Sequence, residues 1–424
     1  MRERLLHFLW KHQKFRSTRL RTSNGELLQI IDPGTYNLHS GPDFLNASIE
    51  IDKQLWAGNV ELHKRSSDWY AHDHQTDKNY NNVILHVVWE ADKKVYWSSG
   101  GEIPTLILKD VVEENILDNY RNLLLKSDNK FINCEPYAAD LDLFVMLPWL
   151  EHLFRERLEA KTSEADLLLK VTDGDWERLL FIMLLANFGQ QLNRSGFLSM
   201  ARTLDFNIIR GLRGKSFQLE SLLFGLSGLL NKEGVEDNYF DILKTEFAFL
   251  CKKHQLSEPV YKTPEFMRVR PSNFPTRRLS QFAVLYSKNI NLFSRIISLW
   301  SKKDFYELFT IGASTYWQGH YNFGKPSLYK RTKLSKAFID SIIINTVLPV
   351  KNLYGKKRGN NNYPKLRKLV SELSREDNRI VRQYRSLGFP VHHALDSQAV
   401  IQLYRSYCKR NRCLECALGN QILN

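Results

Sequence analysis

Between Ser40 and Glu90, in SGPDFLNASIEIDKQLWAGNVELHKRSSDWYAHDHQTDKNYNNVILHVVWE, the chain gathers Asp43, Glu61, His63, Asp68, His72, His74, Asp77 and His86. Carboxylates and imidazoles are the groups that hold divalent cations and move protons. Alternation along a strand decides which of them share a face. In AGNVELH, Asn59, Glu61 and His63 point one way and Val60 and Leu62 the other, so Glu61 and His63 are neighbours. Asp43 enters the preceding strand directly after Gly41–Pro42. If segments 44–51 and 54–63 pair as a hairpin about Asp52–Lys53, Asp43 arrives beside Glu61 and His63. Two converging carboxylates would hold Mg2+ or Mn2+. Such a metal activates water and stabilises charge on a phosphoryl group. His63 could orient or deprotonate that water, or itself ligate Mn2+ or Zn2+.

HDHQTD places His72, His74 and Asp77 close together, and with Glu61 or His63 they offer a workable zinc donor set. The bland alternative is that Asp68, His72 and Asp77 are solvated helix and loop residues. His86 sits in the apolar run VILHVVW on the face of Ile84 and Val88, where a packed histidine supporting the ligands from behind is the expectation. Trp69 and Tyr70 read as packing residues.

Near the other end, YCKRNRCLECALGN sets Cys408, Cys413 and Cys416 at the x4 and x2 spacing found around [2Fe–2S] clusters, a spacing that also suits Zn2+. Cys134, in FINCEPY, is the candidate for the distant fourth ligand, and its contact would staple the last residues onto the first domain. Cys251 lies in an apolar helical run and reads as a small buried hydrophobe. The alternative for the C-terminal three is reduced cysteines on a terminal helix. In RVRPSNFPTRRLSQFA, Arg268, Arg270, Arg277 and Arg278 flank two prolines, and YGKKRGNNNYPK supplies Lys356, Lys357 and Arg358. These could track a nucleic-acid backbone, with Phe274 stacking on a base. Arginines tying helices together are the competing expectation.

The elements that must position these groups follow from periodicity and turn residues. Residues 2–14 read as an amphipathic helix, 26–31 as a strand, and 32–42 as a loop. The hairpin strands come next, then a polar segment, 66–82, opening with a short helix capped by Ser66 or Ser67. Strands at 83–90 and 105–110 follow. This predicts an α/β domain over 1–130 with a mixed sheet. From about 140 the pattern turns helical, predicting a mainly α-helical domain over 131–350 and a basic C-terminal segment, 351–424, packed on the rest.

The bulk properties fit such a chain. Its 424 residues are 43% hydrophobic and 25% charged, with 24 Phe and 18 Tyr, which is globular composition and not that of a disordered chain. No uncharged apolar run long enough for a membrane span occurs, and the basic N-terminus lacks a cleavage site. Five unevenly spaced cysteines suggest no disulfide framework, so a cytoplasmic location is expected. The net charge is +14, unevenly spread. Residues 1–130 carry 17 Lys+Arg against 18 Asp+Glu, whereas 351–424 carry 15 against 5. That surplus would attract a polyanion such as nucleic acid.

Two resemblances bear on function. Pro42–Asp43 and Glu61-Leu62-His63, within a helix–strand–strand–strand–helix–strand order, resemble the PD-(D/E)XK nuclease superfamily over the first quarter of the chain. The resemblance implies a restriction-endonuclease-like sheet and a metal-dependent nuclease with Asp43 and Glu61 as ligands. His63 stands where that pattern has Lys. Some nucleases of that superfamily carry an iron–sulfur site from one cysteine on one side of the domain and three near the C-terminus. The chain also resembles, over nearly its full length, an uncharacterised bacterial family known by a domain-of-unknown-function label. GPDFLNASIEI, GNVELH, SDWYAHDHQTD, VILHVVWE, RPSNFPTRRLSQFA and CLECALGN carry that likeness. Three readings stand: a Mg2+- or Mn2+-dependent nuclease, an inactive nucleic-acid-binding scaffold on the same fold, and a zinc hydrolase using His63, His72, His74 and Asp77.

Overall fold

The computed structural model describes residues 3–124, 130–256 and 263–423. Helix α1 (Glu3–Lys11) leads into β1 (Leu20–Arg21), β2 (Leu27–Asp32), β3 (Thr35–Tyr36), β4 (Phe44–Ile51) and β5 (Gln54–Arg65). After the one-turn helix α2 (Asp68–Ala71) come β6 (Val83–Glu90), β7 (Thr105–Ile107) and α3 (Glu114–Leu124). The sheet runs β1-β2-β4-β5-β6-β7, with β3 also on β4. It is antiparallel as far as β5, then parallel across β5, β6 and β7.

The hairpin between β4 and β5 turns on Asp52 and Lys53, both at positive φ (47° and 71°). That backbone matches the twist of paired strands in a two-residue loop. The Asp52 carboxylate accepts from the Leu27 N–H at 2.8 Å, tying the turn to β2. Parallel strands need a crossover, and here residues 66–82 supply it. The path from β5 to β6 therefore carries His72 and His74 back over the sheet.

β6 is apolar on both faces, as a strand covered on both sides must be. On one face α1 lays Leu5, Leu6, Leu9 and Trp10 against Val60, Leu62, Leu85 and Val87. On the other a smaller cluster forms from Trp69, Tyr80, Val83, Val95 and Ile103. Each buried Leu or Phe contributes roughly 1.5–3 kcal/mol of transfer free energy.

The remaining helices begin with α4 (Leu143–Val171), α5 (Trp176–Phe188), α6 (Gln190–Thr203), α7 (Phe206–Gly211), α8 (Ser216–Leu226), α9 (Asn238–His254) and α10 (Pro275–Lys288). Asp175 and Asp237 cap α5 and α9 by accepting first-turn N–H groups. α5 is buried from Leu179 to Phe188, and Phe181 and Phe188 meet Phe282 of α10 edge-on. A mixed-sheet region followed by a largely helical one is the architecture expected from the sequence.

Details differ from expectation. α1 ends at Lys11, short of residue 14, because Gln13 takes a left-handed φ of 51°; Arg2 lies outside the described residues. The strand expected over 105–110 stops at Ile107 and continues as a 3-10 turn. Ser67 does not cap α2. Both serine hydroxyls instead donate to Asp92, at 3.0 Å from Ser66 and 2.7 Å from Ser67. The chain divides into two compact units. One comprises residues 1–149, 386–389 and 403–424; the other comprises 150–385 and 390–402. Among the described residues, no helix is long and apolar enough to cross a membrane.

Candidate metal centre

The register of β4 on β5 sets Phe44 opposite Val60, which brings Asp43 to Glu61. The Asp43 N–H donates to Glu61 Oε2 at 3.0 Å, and Asp43 Oδ2 accepts from the Leu62 N–H at 3.1 Å. With Oε2 anchored, Glu61 turns Oε1 toward two imidazoles. His74 Nε2 is 3.3 Å away and His63 Nε2 is 3.5 Å away. His63 Nε2 in turn lies 3.1 Å from His72 Nδ1. Zinc binds N and O ligands at about 2.0–2.1 Å, so ligand atoms at the corners of a tetrahedron stand roughly 3.3–3.4 Å apart. The three separations fall around that edge length. Among the described residues, His63, His72 and His74 are the group whose potential ligand atoms all lie within 4.8 Å of one another.

The imidazoles are held from outside the cluster. β5 and β6 pair Glu61 with His86, and His63 Nδ1 meets His86 Nε2 at 2.8 Å. A proton on His63 Nδ1, donated to His86, leaves His63 Nε2 with its lone pair free for a cation. His74 stacks on Tyr80 at 3.8 Å between centroids. Trp69 packs edge-on against His74 and tilted against His86. His63, His74 and His86 are buried, whereas His72 is exposed.

Burial and mutual repulsion set the charges. Burial, then the charge of Asp43, pushes the Glu61 carboxyl up to about 9. Burial, then the neighbouring His74 and His72, brings His63 down to about 3. Burial likewise lowers His74, and it lowers His86 well below its ordinary value. Metal-free, Glu61, His63 and His74 are thus neutral donors. The His74 Nε2 atom is buried with no hydrogen-bond partner. A cation is what would restore charge to Glu61 and occupy that nitrogen.

Asp43, Glu61 and His63 meet at one sheet end, and His72, His74 and His86 join them. Asp77 does not enter the cluster: it caps the turn Lys78–Tyr80 by accepting from the Asn79 N–H. Asp68 accepts from the Arg65 N–H and also stays outside. Two neighbours escape sequence reasoning. His7 of α1 sets Nε2 3.3 Å from Asp43 Oδ2, and its Nδ1 meets the Tyr36 hydroxyl at 3.2 Å. Burial alone would lower the His7 pKa, but the bond to Asp43 and its charge raise it. Tyr80, the stacking partner of His74, is the other. A polar residue on the apolar side of the helix over 2–14 was the one available signal for His7.

The arginine cluster divides. Arg277 and Arg278 are buried and serve the helical unit. Arg277 Nη2 donates to the Trp317 carbonyl at 2.7 Å, and its guanidinium covers the Tyr321 ring. Arg278 donates to Gln281 and Asn273 and covers the Phe338 ring, with burial bringing it down to about 9. Both guanidiniums are engaged within the helical unit. Arg268 and Arg270 are exposed. Lys356 pairs with Glu159, Lys357 pairs with Asp166 at 2.8 Å, and Arg358 covers the Tyr354 ring. Phe274 packs edge-on against Phe266 rather than standing open. Cys134, Cys408, Cys413 and Cys416 line one small cavity in the sheet-bearing unit.

A family model described as "Protein of unknown function (DUF2851)" matches residues 3–379, and the chain belongs to that family. No curated protein and no solved structure matches the chain, so the comparisons lend no support to the PD-(D/E)XK resemblance.

Proposed function

We propose that this member of the DUF2851 family is a zinc-dependent hydrolase that cleaves phosphodiester bonds in nucleic acid, its metal held by Glu61, His63, His72 and His74. The carrying observation is that Glu61 Oε1, His63 Nε2, His74 Nε2 and His72 Nδ1 are linked by separations of 3.1–3.5 Å. An imidazole-rich donor set favours zinc over the oxygen-seeking Mg2+. The site therefore departs from a nuclease reading with Mg2+ or Mn2+ on Asp43 and Glu61.

Roles follow from the contacts. His63 is a poor base, since its Nδ1 is engaged by His86 and its pKa lies near 3. It serves as a ligand. Asp43, partly exposed and paired with His7, would take the water's proton. Zinc that took up a water as a fifth ligand beside these four would lower that water's pKa toward neutrality. That water oxygen would bond to phosphorus as the P–O ester bond broke, Asp43 would take the proton, and the leaving oxygen would be protonated from solvent. The net charge of +14 supports a polyanionic substrate.

The test is zinc titration of metal-stripped protein, followed by assay of labelled single- and double-stranded DNA and RNA, beside Glu61→Gln and Asp43→Asn. The proposal expects one zinc per chain at this centre, zinc-restored cleavage, zinc affinity weakened on the order of 1000-fold in Glu61→Gln, and zinc binding without cleavage in Asp43→Asn. Salt-sensitive binding with no cleavage at any zinc level would replace it with a scaffold role.

A further inference from the structure

Cys134 and the C-terminal cysteines are nearly three hundred residues apart in sequence, yet all four line one small cavity. None is in a disulfide. The convergence is built. Cys134 precedes the 3-10 helix Glu135–Asp140, while Cys413 and Cys416 bracket the turn before the helix Ala417–Ile422. Gly419 permits it: a Cβ there would stand 2.1 Å from the Cys413 carbonyl oxygen.

The sulfurs also collect donors. Asn133 Nδ2 donates to Cys413 Sγ at 3.6 Å. The Leu418 and Gly419 N–H groups point at Cys416. Cysteines that merely fill space need no donors; thiolates carrying charge do. Bound metal would hold the sulfurs as thiolates.

We infer that Cys134, Cys408, Cys413 and Cys416 hold an iron–sulfur cluster. Spacing decides against zinc. Zn–S bonds of about 2.3 Å would draw four sulfurs to roughly 3.8 Å of one another. Among the described residues, no three cysteine sulfurs come within 4.8 Å, a criterion that His63, His72 and His74 meet. A cluster spreads its thiolates wider because each binds at an iron, with sulfide between the irons. The Cys408-x4-Cys413-x2-Cys416 spacing with one distant cysteine agrees. The cluster would tie residues 403–424 to the segment around Cys134 within one unit. This stands independently of the zinc hydrolase reading.

The experiment is metal and sulfide analysis of the full chain purified without oxygen, beside Cys134→Ser and, as a control, Cys251→Ser. The expected result is iron and acid-labile sulfide in equal amounts, at least two of each per chain, with a visible charge-transfer band. Cys134→Ser should lose iron and sulfide together; Cys251→Ser should keep both. Wild-type protein without iron, or with zinc and no sulfide bound at these cysteines, overturns the inference. So does a Cys134→Ser protein that keeps its full iron and sulfide. The wild-type measurement decides even if Cys134→Ser does not fold, and none of these outcomes bears on zinc at Glu61.

Discussion

Two buried glutamates, one in each unit, show what separates a site from architecture. Glu61 and Glu220 are 5% and 1% exposed, and burial raises the pKa of both. Glu220 of α8 is ringed by donors from its own fold. Trp317 Nε1, the Tyr239 hydroxyl and Ser314 Oγ donate to Oε1 at 2.7, 3.0 and 3.2 Å, and Ser280 Oγ donates to Oε2 at 3.0 Å. Its need for partners is met within the helical unit. Glu61 accepts one backbone N–H through Oε2, and its Oε1 looks onto imidazoles that burial keeps neutral. Burial and a raised pKa are therefore common to both. The difference lies in what the protein supplies: a ring of hydrogen-bond donors at Glu220, and neutral imidazoles at Glu61.

The sharpest break in this comparison is Glu61→Gln. The carboxyl is already protonated near neutrality in the metal-free fold, so a neutral isostere should leave the melting temperature within a few degrees of wild type. Zinc affinity should fall on the order of 1000-fold or more with the loss of the one anionic ligand. Equilibrium dialysis beside thermal melting checks this; a variant that unfolds while still binding zinc would make Glu61 a second Glu220. The converse substitution, Glu220→Gln, places an amide among four donors. It should cost about 2–4 kcal/mol of stability, seen as a lower urea midpoint for the helical unit, with zinc affinity unchanged. An unaltered midpoint would mean that the donor ring contributes nothing.

Smaller effects sharpen the picture of the site. His86→Phe removes the partner of His63 Nδ1 and should weaken zinc by about 10- to 100-fold, as losses behind a metal ligand do. His86→Gln, which keeps a polar partner, should recover part of that. Equal affinities in the two variants would show that His86 is only packing.

Proton linkage gives the smallest effect, about tenfold in zinc affinity per pH unit. Metal-free Glu61 has a folded pKa near 9, above its unfolded value, so the folded state binds the extra proton and loses stability as pH rises between them. At pH 7 zinc must displace that proton, whereas His63, with its pKa near 3, has none to give. Titration calorimetry in buffers of different ionisation enthalpy should find at least one proton released per zinc at pH 7, the Glu61 proton with any from zinc-bound water. Affinity should climb with pH and level off near 9. Release of no proton would mean that Glu61 is not displaced from its neutral form and is not a ligand.

Much of the sheet was legible because alternation is a property of the backbone itself. GNVELH fixes Glu61 and His63 on one face, Asp52–Lys53 marks a turn, and the register then delivers Asp43 to Glu61. The continuous apolar run of β6 marks a covered strand. The arginines of RVRPSNFPTRRLSQFA were not legible in the same way. Charge and spacing are identical for a guanidinium that meets phosphate and for one that covers Phe338, and only packing distinguishes Arg278 from Arg270. Ser66 and Ser67 misled for a similar reason: Asp92, distant in sequence, outcompetes the helix end for their hydroxyls.

Sequence by itself determined the fold class, the hairpin and the shared face of Glu61 and His63, because each rests on local periodicity or residue type. Tertiary structure alone decided that His7 reaches Asp43, that His72 and His74 fold back over β5 while Asp77 does not, and that Cys134 meets Cys413 and Cys416. These meetings depend on where a crossover and a chain terminus come to rest once apolar faces are buried. No short-range pattern encodes that, because the burial free energy is non-directional and is summed over the whole unit.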